Sequence, residues 1–598
     1  MLRAALHLTT VVGLLVPFGL AAGVHKHDQS FTPDYALHVT YEKVDVACRT
    51  KLLGLVNGTS PGPPLYMKEG ETTWHWHGLA QATAPFSDGT PQASQWAIAP
   101  GHFFDYEIQP RIGEAGSYFY HSHVLFQASS IVGPIIVEEA SGEPPYRYDE
   151  EKIVFLSDYF NWTDEAVVAE AGSHLINGGT YPPLGADETQ TDEPWQESPA
   201  NDKCKPEVFQ VEFNKTYRLR MIGAVVASTV SLVIEDHDRF DVINADGAYT
   251  KPAEVDRIQL GSGQRFDVLL RTKTEDEVTR LGKSLFWVQV ESRYRPVNVT
   301  SYAFLQYTNS SVGNRTVPAS APATPPLEIS NDIQGWLEYT LEPLEDNGFP
   351  AADQVSRTVY LYSSQIFANS TPPFWAVNNR TWTDENQHLG GTPYYDMANN
   401  TGTPYLVDIY KNGEAAMPNY DLAVGKYGGW DPNLNVYTAK VGEIIDVVLI
   451  NEPTGTVGGF DVHPWHIHGG HVYDLGSGPG NYDAAANEKR LQGYHPVLRD
   501  TLMLYKYVDS NLVGENGTVY TPQGWRAWRI KVQDAGVWMV HCHLLYHMIM
   551  GMQTVWVMGN ASEITVNSEP YVKGYLDYGG SAYGNASYDP LVYHHFSD

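Results

Sequence analysis

The chain of 598 residues is poor in cysteine, in basic side chains and in long apolar runs. Three cysteines are too few for a scaffold held together by disulfides. The 38 basic residues against 70 acidic ones give a formal net charge of −32. Such a surface repels nucleic-acid phosphates and anionic lipid, so no nucleic-acid partner is expected. After residue 22, no run reaches the roughly eighteen apolar residues of a membrane span, so no membrane anchor is expected either.

Turn-forming residues recur along the whole chain, which holds 53 glycines and 38 prolines. Between them lie short runs rich in valine, isoleucine, tyrosine and phenylalanine, such as Glu443–Ile450. Long stretches with helical periodicity are scarce. This pattern is typical of all-β sandwiches or barrels, and the length corresponds to three or four domains at about 150 residues each.

The N-terminus has the composition of a secretory signal peptide. Arg3 precedes an apolar run over residues 11–20 that ends in Ala21-Ala22-Gly23. The alternative is a buried helix, but the run opens the chain and is too short to cross a bilayer. We therefore expect residues 1–22 to be removed and the protein to be secreted. N-glycans are also expected, because twelve asparagines begin an N-x-S/T motif: Asn57, Asn161, Asn214, Asn298, Asn309, Asn314, Asn369, Asn379, Asn399, Asn516, Asn560 and Asn585.

Two segments resemble connections between domains: residues 141–145, and the Pro/Ala-rich stretch 317–326. We place a first domain at residues 23–143, a second at 144–325, a third at 326–565 and a C-terminal tail at 566–598. The segments ending in His121-Ser-His123 and His541-Cys-His543 share one plan: a glycine, four mostly large residues, then the two histidines. The middle region has no such counterpart, so metal binding is expected in the first and last domains only.

Four His-x-His pairs lie in strand-like surroundings, whereas the composition predicts about one by chance. A fifth pair, His25-Lys-His27, meets that expectation and is treated as accidental. Residues i and i+2 of a strand face the same side, so each pair presents two imidazoles in one direction. Imidazole suits copper, zinc, iron and nickel. The pairs are His75-Trp-His77, His121-Ser-His123, His466-Ile-His468 and His541-Cys-His543.

The last pair brackets Cys542, whose sulfur should point away from its neighbours toward a second site. His463, His547 and Met552 follow the spacing of the other members of a blue-copper ligand set: two histidines, one cysteine and a weak axial methionine. The alternative for Cys542 is a buried free thiol, and for Met552 a core residue. One site would receive single electrons, and the histidine cluster next to it would collect several for reduction of dioxygen to water.

With these motifs the chain resembles the multicopper oxidases, in particular the fungal ascorbate-oxidase-type and laccase-like branch. The resemblance covers nearly the whole mature chain. It includes residues 56–64, His75-Trp-His-Gly78, Asp88-Gly89, Ala99-Pro-Gly101, Gly263-Gln-Arg-Phe-Asp267 and both C-terminal histidine motifs. The resemblance implies an all-β fold of three linked cupredoxin-like Greek-key β-sandwich domains. It also implies four coppers per chain, the second domain carrying no copper ligand and the third carrying the type 1 copper.

Carried over by position, the resemblance assigns each copper a set of ligands. The type 1 copper would be held by His463, Cys542 and His547, with Met552 axial. The type 2 copper would be held by His75 and His466. The type 3 pair would be held by His77, His121, His123, His468, His541 and His543. His547 would be the edge where substrate electrons enter.

Two further residue roles come from the resemblance. Asp88 matches an acidic residue near the cluster and is a candidate proton relay; the alternative is an ordinary Asp-Gly turn. Cys48 and Cys204 fit a disulfide between the first two domains, as ascorbate oxidases have, which suits a secreted protein. The alternative is two unpaired buried thiols.

The chain departs from the family pattern at three places. Only nine residues separate Leu65 from His75, where relatives have a further strand and loop, so the first domain is either trimmed or derived from a faulty gene model. Leu545 stands where many relatives carry an acidic residue. The C-terminus lacks the Asp-Ser-Gly-Leu type of ending of some ascomycete laccases.

The predicted function is a copper-dependent oxidoreductase with dioxygen as acceptor and a phenolic or enediol molecule as donor. The acidic surface mildly disfavours an anionic donor such as ascorbate, so laccase-like oxidation of phenols is favoured. The alternatives are an ascorbate oxidase proper, a phenol-coupling oxidase of pigment or polyketide biosynthesis, a ferroxidase or other metallo-oxidase, and a copper-binding protein without activity.

Overall fold

The computed structural model describes the protein over most of its length. The described residues are 35–46, 49–68, 77–81, 84–98, 104, 106–159, 206–294, 299–309, 312, 316–318, 322–366, 374–383, 402–453, 461–507, 524–566 and 576. His75, Cys48 and Cys204 lie outside them, as do the predicted signal peptide and the shortened stretch before His75. The predictions made for these residues stay predictions, and so do the domain limits.

The N-terminal part contains a hairpin and a small sheet. The antiparallel hairpin pairs β1 with β2, and the three-stranded sheet has the order β3-β5-β4, with β3 parallel and β4 antiparallel to β5. His77 adds an isolated bridge to Phe119 on β4, which brings it beside the strand that carries His121. The strands are β1 (Val39–Val46), β2 (Arg49–Val56), β3 (Leu65–Lys68), β4 (Gly116–His121) and β5 (Val132–Glu138).

The middle part packs two five-stranded sheets against each other. Their orders are β11-β10-β13-β8-β6 and β12-β9-β14-β15-β7. Alternate apolar side chains of both sheets, among them Phe240, Val268 and Phe286, form one buried core between them. The strands are β6 (Glu150–Ser157), β7 (Val208–Val211), β8 (Thr216–Ala224), β9 (Thr229–Ile234), β10 (Phe240–Ala245), β11 (Ala248–Val255), β12 (Ile258–Leu260), β13 (Arg265–Arg271), β14 (Leu285–Arg293) and β15 (Thr300–Tyr307).

The C-terminal part packs two six-stranded sheets, β17-β16-β20-β25-β22-β23 and β18-β19-β27-β26-β21-β24. Its core includes the fully buried Trp465, Trp528 and Trp556. The strands are β16 (Arg357–Ile366), β17 (Phe374–Val377), β18 (Trp430–Asp431), β19 (Val436–Ala439), β20 (Ile444–Asn451), β21 (His463–Ile467), β22 (Val472–Pro479), β23 (Leu498–Arg499), β24 (Thr501–Leu504), β25 (Gly524–Lys531), β26 (Gly536–Cys542) and β27 (Gln553–Met558).

Helices are few and short in the described ranges. The α-helices are α1 (Glu275–Leu281), α2 (Tyr405–Asn412), α3 (Tyr420–Tyr427), α4 (Ala484–Arg490), α5 (Leu545–Ile549) and α6 (Ala561–Ile564). None of these helices has the length and apolar character that crossing a bilayer requires. The predicted all-β fold is confirmed, and the packed sheets are those of cupredoxin-like β-sandwiches.

Candidate metal centre

The register between β21 and β26 places the candidate ligands. Trp465 lies opposite Cys542, and His466 lies opposite His541. Because side chains alternate along a strand, His466 and His541 face one side of the sheet while Cys542 faces the other. That other side is the core of the C-terminal sandwich, where Cys542 packs with Trp465 and Val540. The two kinds of site therefore lie on opposite faces of the same strand pair.

On the core side, His463, Cys542 and His547 form one group of possible metal ligands. The Cys542 Sγ lies 3.4 Å from His547 Nδ1 and 3.7 Å from His463 Nδ1, and the two Nδ1 atoms are 3.1 Å apart. All three residues are buried. His547 comes from α5, which begins three residues after the end of β26 and turns the ring back onto the cysteine.

Met552 and Trp375 complete the surroundings of this group. The Cys542 N–H donates to the Met552 carbonyl at 3.0 Å, and the Met552 side chain is fully buried in the same core. The Trp375 ring lies on His547, with ring centroids 3.9 Å apart. The outer nitrogen of His547, Nε2, lies 3.3 Å from a carboxylate oxygen of Asp461.

On the opposite side, six histidines form two groups of three. His123, His468 and His541 form one, in which the His541 Nε2 lies 3.1 Å from His468 Nε2 and 3.4 Å from His123 Nε2. The second group consists of His77, His121 and His543. In it the His543 Nε2 lies 3.1 Å from His77 Nδ1. The six histidines predicted for the type 3 pair are thus divided into two groups of three.

His466 lies beside the second group rather than in it. Its ring stacks on His77 with centroids 3.7 Å apart, and both rings border the carboxylate of Asp500. The His466 Nδ1 is directed at the Asp500 carbonyl oxygen at 3.0 Å. This contact leaves Nε2 as the ligand atom, and the predicted partner ligand, His75, lies outside the described residues.

In three of the cluster histidines the nitrogen that faces away from the cluster is held by a polar group. The His541 Nδ1 is 3.0 Å from the Cys542 carbonyl, the His121 Nδ1 is 2.9 Å from the Ser122 carbonyl, and the His543 Nδ1 is 2.9 Å from Ser262 Oγ. Such contacts fix the tautomer and the orientation of an imidazole ligand. They leave the inward nitrogens as lone-pair donors.

Asp88 performs this task for His468. Its two carboxylate oxygens lie 3.0 and 3.1 Å from His468 Nδ1, and Thr90 Oγ1 donates to it at 2.7 Å. Asp88 ends a 3₁₀ turn, Pro85–Asp88, which Gly89 closes in the left-handed conformation with φ of 73°. The residue is therefore both part of an Asp-Gly turn and a buried carboxylate in contact with a cluster histidine.

Burial makes the cluster imidazoles poor bases. It lowers the pKa of His121 from 6.5 to about 4 and the pKa of His123, His468, His541 and His543 well below 6.5. The neighbouring imidazoles add to this effect, because two positive rings in contact repel each other. Neutral rings with inward lone pairs are the form that binds metal.

The donor set fits copper. Two nitrogens bound at about 2.0 Å to one ion at a tetrahedral angle lie about 3.3 Å apart, and the facing ring nitrogens lie 3.1 to 3.4 Å apart. A buried thiol between two imidazole nitrogens is the blue-copper arrangement, and clustered imidazoles suit copper as well. The residues present can therefore hold the metals that the sequence predicts.

Several residues of the site were missed by reasoning from the sequence. Ser262, Arg265, Asp500 and Thr501 contact cluster histidines or hold groups that do. His471 donates to the Asp246 carbonyl at 2.8 Å and lies 3.4 Å from Asp500. Arg265 belongs to a motif that carried the family resemblance, which was the available signal. The others have no local pattern that would single them out.

Leu545 lies in an apolar setting. Its side chain is buried against Phe126 and Val226, and its N–H donates to the Val226 carbonyl at 3.0 Å. A carboxylate at this position would be buried among apolar groups, so the loss of the acidic residue matches the packing around it.

Three family models, each described as multicopper oxidase, match residues 38–142, 150–310 and 402–562. Multicopper oxidase terE of Aspergillus terreus is 58% identical over 87% of this chain and 98% of its own length. Laccase-like multicopper oxidase 1 of Thermothelomyces thermophilus is 41% identical over 96% of this chain and 94% of its own length. An L-ascorbate oxidase of Brassica rapa is 28% identical over 88% of this chain and 92% of its own length.

Solved structures show the same fold. The multicopper oxidase Fet3p, described as functioning in iron import, superposes with a TM-score of 0.62 at 20% identity, covering 93% of this chain and 96% of its own. The laccase from Botrytis aclada superposes with a TM-score of 0.61 at 21% identity, covering 92% and 94%. The chain therefore belongs to the multicopper oxidases, copper-dependent oxidoreductases that use dioxygen as the electron acceptor.

Proposed function

We propose that the chain is a secreted, laccase-like oxidase that takes single electrons from phenolic or enediol donors. The observation that carries this proposal is the position of Cys542 between His541 and His543. Its sulfur belongs to the His463–His547 group, whereas the two flanking histidines belong to the two separate three-histidine groups. A short covalent path therefore joins the side of the donor to the side of dioxygen.

The proposed ligand roles are those predicted from the sequence. His463, Cys542 and His547 would hold the type 1 copper together with Met552, and His466 would hold the type 2 copper together with His75. His77, His121, His123, His468, His541 and His543 would hold the type 3 pair. Copper bound in these places would supply one-electron redox chemistry, in which four donor electrons and four protons convert one dioxygen to two waters.

The donor side is the outer edge of His547. His547 is 3% exposed, whereas Cys542 and His463 are 0% exposed. Asp461 borders its outer nitrogen and Trp375 covers its face, so both residues shape the approach of a donor to this ring. A donor that binds here lies against the ring that contacts the Cys542 sulfur.

The dioxygen side opens into a cavity of about 430 Å³ between the three parts of the chain. Its lining includes Glu114, His468, His471 and Asp534. His468 is the cluster histidine that Asp88 contacts, so only the His468 ring lies between Asp88 and this cavity. We propose that Asp88 keeps His468 in place and relays protons that arrive from the cavity to the cluster.

The choice of a laccase-like activity rests on the relatives and on charge. A relative named laccase-like is 41% identical, whereas the L-ascorbate oxidases are 28% identical. The net charge of −32 also weakens long-range attraction of an anionic donor. The name of the relative at 58% identity specifies no donor.

Oxygen uptake by the copper-loaded chain over a panel of donors tests the proposal. We expect turnover with 2,6-dimethoxyphenol to exceed turnover with ascorbate and with Fe(II), and the Cys542→Ser variant to show none with any of them. A preference for Fe(II) would indicate a metallo-oxidase. Four bound coppers without oxygen uptake would indicate a protein that only binds the metal.

Secretion and glycosylation form a separate part of the proposal. The sequon asparagines within the described ranges, Asn57, Asn214, Asn309, Asn379 and Asn560, are all exposed. The first four adopt left-handed turns with φ between 50° and 60°. An enzyme that attaches glycans needs such access. Mass spectrometry of the protein released by a eukaryotic host should find glycan at these sites, and an intracellular, unmodified product would contradict it.

A further inference from the structure

A turn of the middle sandwich lies directly on the histidine cluster, although this sandwich supplies no predicted copper ligand. The turn spans residues 261–265 between β12 and β13. Ser262 Oγ contacts His543 at both Nδ1 (2.9 Å) and the carbonyl oxygen (2.8 Å). Three residues further along the chain, the Arg265 side chain reaches from the same turn to Asp500 of the C-terminal sandwich.

The contact between Arg265 and Asp500 is a bidentate ion pair. Nη1 and Nη2 of Arg265 donate to the two carboxylate oxygens of Asp500 at 2.7 and 2.6 Å. Neither side chain is exposed to solvent. The flat fork of a guanidinium matches a carboxylate in this way and fixes the plane of the carboxylate, which a lysine ammonium cannot do.

A second ion pair joins the same two sandwiches with the charges exchanged: the middle part supplies the aspartate and the C-terminal part the arginine. Asp246, from the middle part, accepts from the Arg265 backbone N–H at 2.8 Å and from Arg499 Nε at 2.5 Å. The four residues Asp246, Arg265, Arg499 and Asp500 form what we call the Arg–Asp quartet. All are buried, and their two positive and two negative charges balance. Asp500 is therefore held by a network that leaves no buried charge unpaired.

Asp500 passes this constraint to two cluster histidines. Its Oδ1 lies 3.3 Å from His77 Nε2 and 3.5 Å from His466 Nδ1, and its carbonyl oxygen lies 3.0 Å from the same Nδ1. Thr501 Oγ1 donates to Asp500 at 2.7 Å and lies 3.0 Å from His77 Nε2. These contacts set the planes of the two stacked rings. One of them, His466, is a proposed ligand of the type 2 copper.

We infer that Arg265 is a positioning residue for the type 2 copper, acting through Asp500 on His466 and His77. The inference rests on the proposed ligand roles. The sandwich without copper ligands thus determines how firmly the other two sandwiches hold the copper between them. Groups that orient ligands from behind typically change metal affinity by 10- to 100-fold when they are replaced.

The same sheet contains a matched buried arginine that serves as the control. Arg218 pairs through Nε and Nη2 with the buried Asp267, and neither residue contacts a cluster histidine in the described structure. Arg265→Lys and Arg218→Lys each replace a buried fork by a point charge and keep the net charge. Both should lower thermal stability, but only Arg265→Lys should affect the copper.

The experiment titrates a chelator against the full-length, copper-loaded wild type and the two variants. The type 2 electron paramagnetic resonance signal is measured relative to the blue absorption of the type 1 copper, together with the melting temperature. We expect Arg265→Lys to lose type 2 copper at a 10- to 100-fold lower chelator concentration with the blue band intact, and Arg218→Lys to match the wild type. An unchanged Arg265→Lys variant, or equal shifts in both variants, would overturn the inference.

A second variant decides the matter where Arg265→Lys does not fold. Asp500→Asn removes the carboxylate that Arg265 holds, so it should also release type 2 copper selectively; full retention would overturn the inference. If neither variant folds, the quartet only joins the sandwiches and the inference fails. A wild-type chain without any type 2 signal would refute the proposed function as well, whereas intact copper in the variants refutes only the role of Arg265.

Discussion

Gly263 offers the sharpest test of the contact between the middle sandwich and the cluster. It has a φ of +87° and lies in the turn that carries Ser262 and Arg265. A Cβ placed on it would lie 2.8 Å from His77 Cε1 and 3.1 Å from His543 Cδ2. These two rings belong to one three-histidine group. Gly263→Ala therefore forces a methyl group between two predicted copper ligands.

The cost has two parts. A non-glycine residue in the left-handed region costs about 1–2 kcal/mol, and overpacking of a buried site costs about 1–3 kcal/mol more. We expect the free energy of unfolding to fall by about 2–5 kcal/mol. Relief of the collision displaces one or both rings, and a displacement near 1 Å is enough to reduce a rate about 100-fold.

Gly282 provides the control because it shares the backbone conformation but not the collision. It ends α1 with a φ of +67°, and no atom lies within 4 Å of its added Cβ. Gly282→Ala should lose only the backbone part, about 1–2 kcal/mol, and keep its copper and its oxygen uptake. Urea denaturation, copper analysis and oxygen uptake measure the three quantities on the same preparations.

The result that refutes this reasoning is a Gly263→Ala variant with wild-type copper content and oxygen uptake. It would show that the turn does not touch the cluster as described. Equal copper losses in Gly263→Ala and Gly282→Ala would attribute the effect to general destabilisation instead.

Three further predictions follow from individual contacts. Cys542→Ser should abolish both the blue absorption and donor-dependent oxygen uptake, because a hydroxyl replaces the thiolate; intact turnover would exclude a type 1 site at this residue. Asp88→Asn keeps an acceptor for His468 but removes its charge, so oxygen uptake should fall about 10- to 100-fold, and an unchanged rate would remove Asp88 from the machinery. Burial lowers the pKa of His237 from 6.5 to about 4, so the unfolded chain takes up the proton first as the pH falls. The free energy of unfolding should therefore decrease between about pH 6.5 and 4, by at most about 1.4 kcal/mol per pH unit from this group. Denaturant titrations of the wild type and of His237→Gln should show a shallower slope in the variant, and identical slopes would contradict the assignment.

The sequence was informative where chemistry depends on local spacing. In His541-Cys542-His543 the alternation of a strand alone separates the thiol from the imidazoles, and the structure places them on opposite faces. The all-β fold could also be predicted, because turn residues and short apolar runs are local features of the sequence. Asp88 was found as a candidate only through the resemblance to a family, because an Asp-Gly pair by itself indicates a turn.

Residues whose role depends on packing between sandwiches could not be found this way. Ser262 and Asp500 occur in no pattern that distinguishes them from other buried polar residues, and Arg265 was marked only by its place in a motif shared with the family. Their importance comes from contacts between different parts of the chain: Ser262 faces His543, Asp500 faces His77, and Arg265 pairs with Asp500. Trp375 likewise gains its place on His547 from the packing of β17 against α5.

The sequence by itself determined which side chains can bind metal and which face of each strand they occupy, since side-chain alternation requires nothing beyond the local backbone. Only the tertiary structure decided which of these side chains share a site. His543 and His77 are 466 positions apart, and the ion pair of Arg265 with Asp500 spans 235. Such distances are closed by the register of β21 against β26 and by the packing of three sandwiches, which depend on apolar burial summed over the whole chain.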